Sequence, residues 1–143
     1  MQRQSQMRSA GITTALCLAL LMLFTGPAVA APAAAEPFTK ERFDELTGRG
    51  ELVLVVVSAS WCPTCAQQRT ILDAYAAQRP ESPLRMLNVD FDSQKEWVIH
   101  FKAPRQSTLI LYDGSEQSWF SVAETRADQI ARVLDAAVAE RTE

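Results

Sequence analysis

Continuous apolar runs alternate with amphipathic stretches along this chain, and the alternation predicts its elements. Leu52 to Val57 is purely aliphatic and ends in three consecutive valines, the pattern of a strand buried on both faces of a sheet. From Cys62 to about Arg79, the residues Ile71, Leu72, Tyr75 and Ala76 recur at helical spacing, and Pro80 and Pro83 end the run. Leu84 to Val89 reads as a second strand, closing on "DFD". Ser93 with Glu96 three residues later predicts a capping box that opens a short helix through "QKEWVIHF". Thr108 to Tyr112 is a third strand, Asp113-Gly114 a hairpin turn, and Gln117 to Val122 a fourth strand returning antiparallel. Upstream, Thr39 caps a short helix with Phe43 and Leu46 on one face, stopped by Gly48 and Gly50. Downstream, Thr125 caps a last helix whose apolar stripe is Ile130, Val133, Leu134, Ala137 and Val138.

The order is helix, strand, helix, strand, helix, strand, strand, helix. Such alternation argues for an α/β fold, and the terminal hairpin makes its sheet mixed. The expectation is a central mixed four-stranded sheet flanked by helices. The first strand-to-helix junction, where α/β folds place their chemistry, carries "SASWCPTCAQQ".

The first thirty residues have a different character. Arg3 and Arg8 are their only charges, an apolar run from Ala10 to Phe24 follows, and Ala28-Val29-Ala30 is a small-x-small cleavage signal. This is the order of a secretory signal peptide, and the run falls short of the roughly 20 residues that span a bilayer. Residues 1–30 are therefore expected to be a signal peptide, with a membrane anchor as the alternative if it is not cleaved. Residues 31–37, "APAAAEP", are expected to be a flexible leader, and residues 38–143 the folded domain. Cys17 lies within the signal and would leave with it. Cleavage would leave 12 basic against 17 acidic residues, a net charge of −5. That balance, with no basic patch, argues against nucleic acid as a partner.

Cys62 and Cys65 would then be the remaining cysteines, in an exported and hence oxidising setting. A crosslink across two residues closes too small a loop to stabilise much by chain entropy, so stapling is a poor reason for the pair. Placed at a helix N-cap, Cys62 meets free N–H groups and the positive end of the helix dipole, which favour its thiolate. Pro63 then takes the first helical position, where a missing N–H costs nothing. Cys65 lies one turn inward, within reach of a mixed disulfide formed at Cys62. The spacing thus assigns attack to Cys62 and resolution to Cys65, with thiol–disulfide exchange as the chemistry. A zinc site lacks ligands, because CxxC supplies two and His100 is the single histidine. A copper site on Cys62, Cys65 and His100 stays open as an alternative.

"WCPTC" after a valine-rich strand resembles the WCxxC active site of the thioredoxin family. The likeness runs from Phe38 to the last helix: "NVDFD" is similar to the strand and acidic turn after the active-site helix, and "STLILYDGSE" to the cis-proline strand and hairpin. The resemblance implies a thioredoxin-like fold and dithiol–disulfide oxidoreductase activity with no organic cofactor. It also implies a substrate groove formed by Trp61, the residues of the CxxC including Pro63 and Thr64, and the loop carrying Gln106 and Ser107. Three departures stand out. The dipeptide between the cysteines is Pro63-Thr64 where Gly-Pro is usual. Ser107 stands where the family has its cis-proline, and a cis bond before serine would cost about 2.5–4 kcal/mol, so a trans peptide and a reshaped loop are expected. Val56 stands six residues before Cys62, where thioredoxins bury an aspartate, so water or another group must take the proton of the resolving thiol.

The expected function is disulfide exchange with protein thiols and disulfides in the periplasm, by a monomer served by a membrane redox partner. Reduction of selected partners is preferred over general oxidation. The alternatives are a copper metallochaperone of the same fold and a redox-inert interaction module. Trp97 and Trp119 are expected in the core or at its boundary, and Asp90 and Asp92 at the strand end as caps.

Overall fold

In the computed structural model, which describes residues 35–141, the valine run is the middle of the sheet. The elements, in chain order, are β1 (Glu36–Pro37), α1 (Lys40–Gly48), β2 (Leu52–Ser58), α2 (Pro63–Gln78), β3 (Arg85–Asp90), α3 (Lys95–His100), β4 (Thr108–Asp113), β5 (Glu116–Val122) and α4 (Ala127–Ala139). The sheet order is β1-β3-β2-β4-β5. The β1–β3 and β3–β2 pairs are parallel, and β2–β4 and β4–β5 are antiparallel. This is the mixed α/β sheet expected, with one correction: it has five strands. The extra strand, Glu36–Pro37, lies in the segment read as leader and pairs with Leu87 and Asn88. Proline fits there because an edge strand can spare the N–H. The expected signal peptide and Cys17 lie outside the described residues. Among the described residues, no helix is long and apolar enough to cross a membrane.

Every residue of β2 is buried, and its period of two divides the core. Val53, Val55 and Val57 pack with Phe38, Leu46, Leu87, Val98 and Phe101 on the face covered by α1 and α3. Leu52, Leu54 and Val56 pack with Leu72, Tyr75, Ile130 and Leu134 on the face covered by α2 and α4. The aliphatic run is thus a central strand between two helical layers, which pin its C-terminal end from both sides. Trp97 and Trp119 sit half-buried against the two cores, one on each side.

Thr39 caps α1 by accepting from the Arg42 N–H at 3.1 Å. The other two expected caps are not formed. Ser93 instead donates its hydroxyl to Asp90 Oδ1 at 2.6 Å, and α3 starts two residues later with no side-chain cap. The Asp90 carboxylate, which also accepts the Asp92 and Ser93 N–H groups, draws the Ser93 hydroxyl into a charge-assisted bond and away from the helix N–H groups it would have capped. Thr125 leaves α4 uncapped as well. Glu124 Oε1 accepts from the Thr125 and Arg126 N–H groups and from the Arg126 guanidinium, holding that turn together.

Candidate active site

The loop of residues 59–61 leaves the buried end of β2 and turns into α2. Cys62 is the N-cap of α2, with extended backbone (φ −91°, ψ 115°), and Pro63 is its first helical residue. The Cys62 sulfur accepts from the Cys65 N–H at 3.3 Å. It therefore does the work of a capping oxygen, using one of the N–H groups that a helix start leaves unpaired. Both cysteines are free thiols. Both are nearly inaccessible, Cys62 at 4% and Cys65 at 2% exposure, and they pack with Ala59 and the half-buried Phe91.

Burial works against a thiolate at Cys62, but hydrogen bonds from the Cys65 thiol, the Ser107 hydroxyl and the Cys65 and Thr64 N–H groups outweigh it, bringing its pKa down to about 7. Burial pushes Cys65 the other way, above the ordinary thiol value, and the bond with Cys62 adds to the rise. The site thus separates the pair into an anion-favouring outer thiol and a proton-holding inner one.

Ser107 supplies the third group. Its Oγ lies 3.2 Å from Cys62 Sγ and 3.1 Å from Cys65 Sγ, fully buried between them. The peptide bonds of the described residues are trans, and Ser107 reaches this place with a left-handed φ of 64°. For a residue other than glycine that conformation costs on the order of 1–3 kcal/mol, and three hydrogen bonds to its backbone hold it. Its N–H donates to Val57 O at 2.8 Å, and its carbonyl accepts from Ala123 N at 2.8 Å and from Gln68 Nε2 at 3.2 Å. The reshaped loop expected from the sequence is present. Ser107, which the resemblance puts in the loop beside the substrate groove, aims its side chain at both sulfurs.

Gln68 was not singled out from the sequence. It is fully buried on α2, and its Nε2 bridges Ser107 O and Glu124 O at 3.2 and 2.9 Å, while its Oε1 has no partner. A signal existed: Gln68 falls at helical spacing between Cys65 and Leu72, where the stripe is otherwise apolar. Trp61 is 60% exposed on the rim and donates Nε1–H to Asp92 Oδ2 at 2.8 Å. Pro63 is exposed, and Thr64 and Gln106 are half-buried beside the site. Val56 is buried on β2 and lines a cavity of about 440 Å³ together with Cys65, Ser58, Arg69, Asn88 and Asp90. His100 is not brought to the cysteines. It is exposed on α3, with its ring edge-on to Trp97 and Phe101 at 5.3 and 5.0 Å. Among the described residues, no three His, Cys, Asp or Glu side chains gather as a metal site.

A mixed sheet between two helical layers, with a CxxC dithiol capping the helix that follows its central strand, defines a thioredoxin-like dithiol protein. A family model described as Thioredoxin matches residues 34–136, and the chain belongs to the thioredoxin family. It is a thiol–disulfide oxidoreductase of that family. It is 28% identical to a thioredoxin of Chlamydia trachomatis over 96 residues, spanning 67% of this chain and 91% of the relative. Among solved structures, Trxlp from Edwardsiella tarda matches with a TM-score of 0.67 and 36% identity, covering 70% of this chain and 97% of the other. A thioredoxin from Trypanosoma brucei brucei shares the fold, with a TM-score of 0.67 at 16% identity over 78% of this chain and 96% of its own.

Proposed function

We propose that this protein reduces disulfides of protein partners in an extracytoplasmic compartment, with Cys62 attacking and Cys65 resolving. The observation that carries the roles is the opposite displacement of the two thiols. Cys62, held at about 7 by the hydrogen bonds at the start of α2, is substantially thiolate at neutral pH, whereas Cys65 keeps its proton. Thiolate is the attacking species in exchange. Trp61, Pro63, Thr64 and Gln106 form the rim against which a partner's extended chain docks, with Ser107 buried behind it against the two sulfurs.

The same value supports the reductive direction. Stabilising the thiolate stabilises the dithiol form and makes the disulfide a stronger oxidant. Strongly oxidising dithiol proteins hold their nucleophile near pKa about 3.5, thioredoxins near about 7. Cys62 lies at the thioredoxin end. The order of charged, apolar and cleavage regions in residues 1–30 supports export to the periplasm. Reduction there requires an electron donor in the membrane, because the compartment is kept oxidising.

The test is the reduction potential of the Cys62–Cys65 pair, from equilibration with thiol–disulfide buffers of known potential. A value near about −270 mV is expected, and one near about −120 mV would overturn the reductive direction. For the location, fractionation of cells expressing the full chain is expected to recover it outside the cytoplasm. Recovery in the cytosol would end that part of the reading.

A further inference from the structure

In the exchange reaction proposed above one proton must leave the buried thiol, and the carboxylates that line the cavity beside Cys65, Asp73 and Asp90, hydrogen-bond neither sulfur. Cys65 must lose its proton before its sulfur can attack, and burial makes that proton hard to remove. Val56 lines the cavity beside Cys65 and has no group that takes protons. Among the described residues, no carboxylate hydrogen-bonds either sulfur; the side chain that bonds both is Ser107. A hydroxyl can accept one proton and donate another at once. Its backbone is kept in a conformation that serine rarely takes, by bonds to β2, to Ala123 and to Gln68. Backbone outliers of this kind gather at sites of function.

We propose that Ser107 is a catalytic residue whose hydroxyl relays the proton of Cys65 to the substrate sulfur leaving Cys62. The inference rests on the oxidoreductase reading and adds an acid–base group to it. In the dithiol, the single Cys65 thiol proton is shared between Cys62 Sγ and Ser107 Oγ, and the Ser107 hydroxyl donates to the Cys62 thiolate. In the first step Cys62 Sγ attacks one sulfur of the substrate disulfide. The substrate S–S bond breaks, a Cys62–substrate disulfide forms, and the other substrate sulfur leaves as a thiolate. In the second step Cys65 Sγ attacks Cys62 Sγ, and the Cys62–substrate bond breaks as the Cys62–Cys65 bond forms. The Cys65 proton passes to Ser107 Oγ while the proton of Ser107 passes to the departing sulfur. Ser107 ends unchanged, the dithiol has given up two electrons, and the substrate disulfide has gained them. The same path run backwards serves oxidation.

The relay makes a demand that a purely structural serine would not. It assists a poor leaving group, which needs a proton, more than a good one. The full chain carrying Cys17→Ser, in its dithiol form, is mixed rapidly with oxidised glutathione or with 5,5′-dithiobis(2-nitrobenzoate). Decay of each Cys62 mixed disulfide is followed by acid quench and mass spectrometry. Ser107→Gly removes the hydroxyl and suits the left-handed backbone. In this variant, resolution of the glutathione adduct is expected to slow about a hundredfold. Resolution of the nitrothiobenzoate adduct, whose thiolate leaves readily unprotonated, is expected to slow by less than about tenfold. Equal slowing of both would make Ser107 structural only. No slowing of either would assign the proton to solvent in the cavity beside Cys65. Both results overturn the relay. If the glycine variant does not unfold cooperatively, Ser107→Ala gives the same comparison. If the parent chain forms no mixed disulfide with either reagent, the oxidoreductase reading itself fails.

Discussion

Gln68 is a polar side chain where the buried face of α2 calls for an apolar one. Its position is explained by what it holds: two carbonyls from different loops, one of them on Ser107. Replacing it by alanine leaves Glu124 O without that donor and loosens the turn that puts Ser107 Oγ on the sulfurs. Gln68→Ala is expected to cost about 1–3 kcal/mol of stability, the range for a buried polar group left unpaired. It is also expected to raise the pKa of Cys62, because the Ser107 bond is among those that lower it. Alkylation of Cys62 by iodoacetamide, followed against pH, reads this directly. The rate in the parent chain should rise with a midpoint near 7, and the variant's midpoint should lie higher. A parent midpoint at the ordinary thiol value would refute the thiolate assignment. At this scale the sequence showed the pair and its polarity, because helix-start chemistry depends on local spacing. The contacts of Ser107 and Gln68 join residues about forty or more apart, and no local pattern records them.

Elements were more legible than their ends. The aliphatic β2, the amphipathic α4 and the hairpin after β4 follow from periodicity and turn chemistry, which act within a few residues. The caps of α3 and α4 were misread because the carboxylates of Asp90 and Glu124 organise the turns before these helices, tying up the Ser93 hydroxyl and N–H and the Thr125 and Arg126 N–H groups. β1 was missed because two residues hold too little pattern to signal a strand. The hairpin offers a test at this scale. Gly114 has φ +57°, and a Cβ there would stand 3.3 Å from the Cα of Gly50, in the turn that follows α1. Gly50 itself has φ +72°, and its loop meets the hairpin through the Gly114 N–H to Glu51 O bond at 3.0 Å. Gly114→Ala is therefore expected to lower stability by about 1–3 kcal/mol in denaturant unfolding, from backbone strain and a backbone neighbour that must move. Unchanged stability would mean the two turns are not packed as described. The dithiol is at the other end of β2, so exchange kinetics of the folded variant should be unaltered.

At the scale of the whole molecule, the fold and the redox state are linked through protons. In the folded dithiol, Cys62 titrates near 7 against an ordinary value of 9.0, and Cys65 titrates above 9.0. A depressed folded value stabilises the fold fully above the ordinary value, and that stabilisation is lost as pH falls through about 7. The raised value of Cys65 acts in the opposite sense and removes stability above about 9. The dithiol form should thus gain stability between about pH 7 and 9 relative to the disulfide form, which has neither thiol to titrate. The reduction potential must carry the same signature. Below about pH 7 reduction takes up two electrons and two protons, so the potential falls by about 59 mV per pH unit. Between the two thiol values it takes up one proton, and the slope halves to about 30 mV per unit. Equilibration with a buffer of known potential from about pH 5.5 to 8.5 should show this break near 7, and Ser107→Gly should move it upward by weakening the thiolate. A single slope of about 59 mV across the range would place both thiols at ordinary values. The α2 start would then be shaping the geometry of the pair without setting its charge.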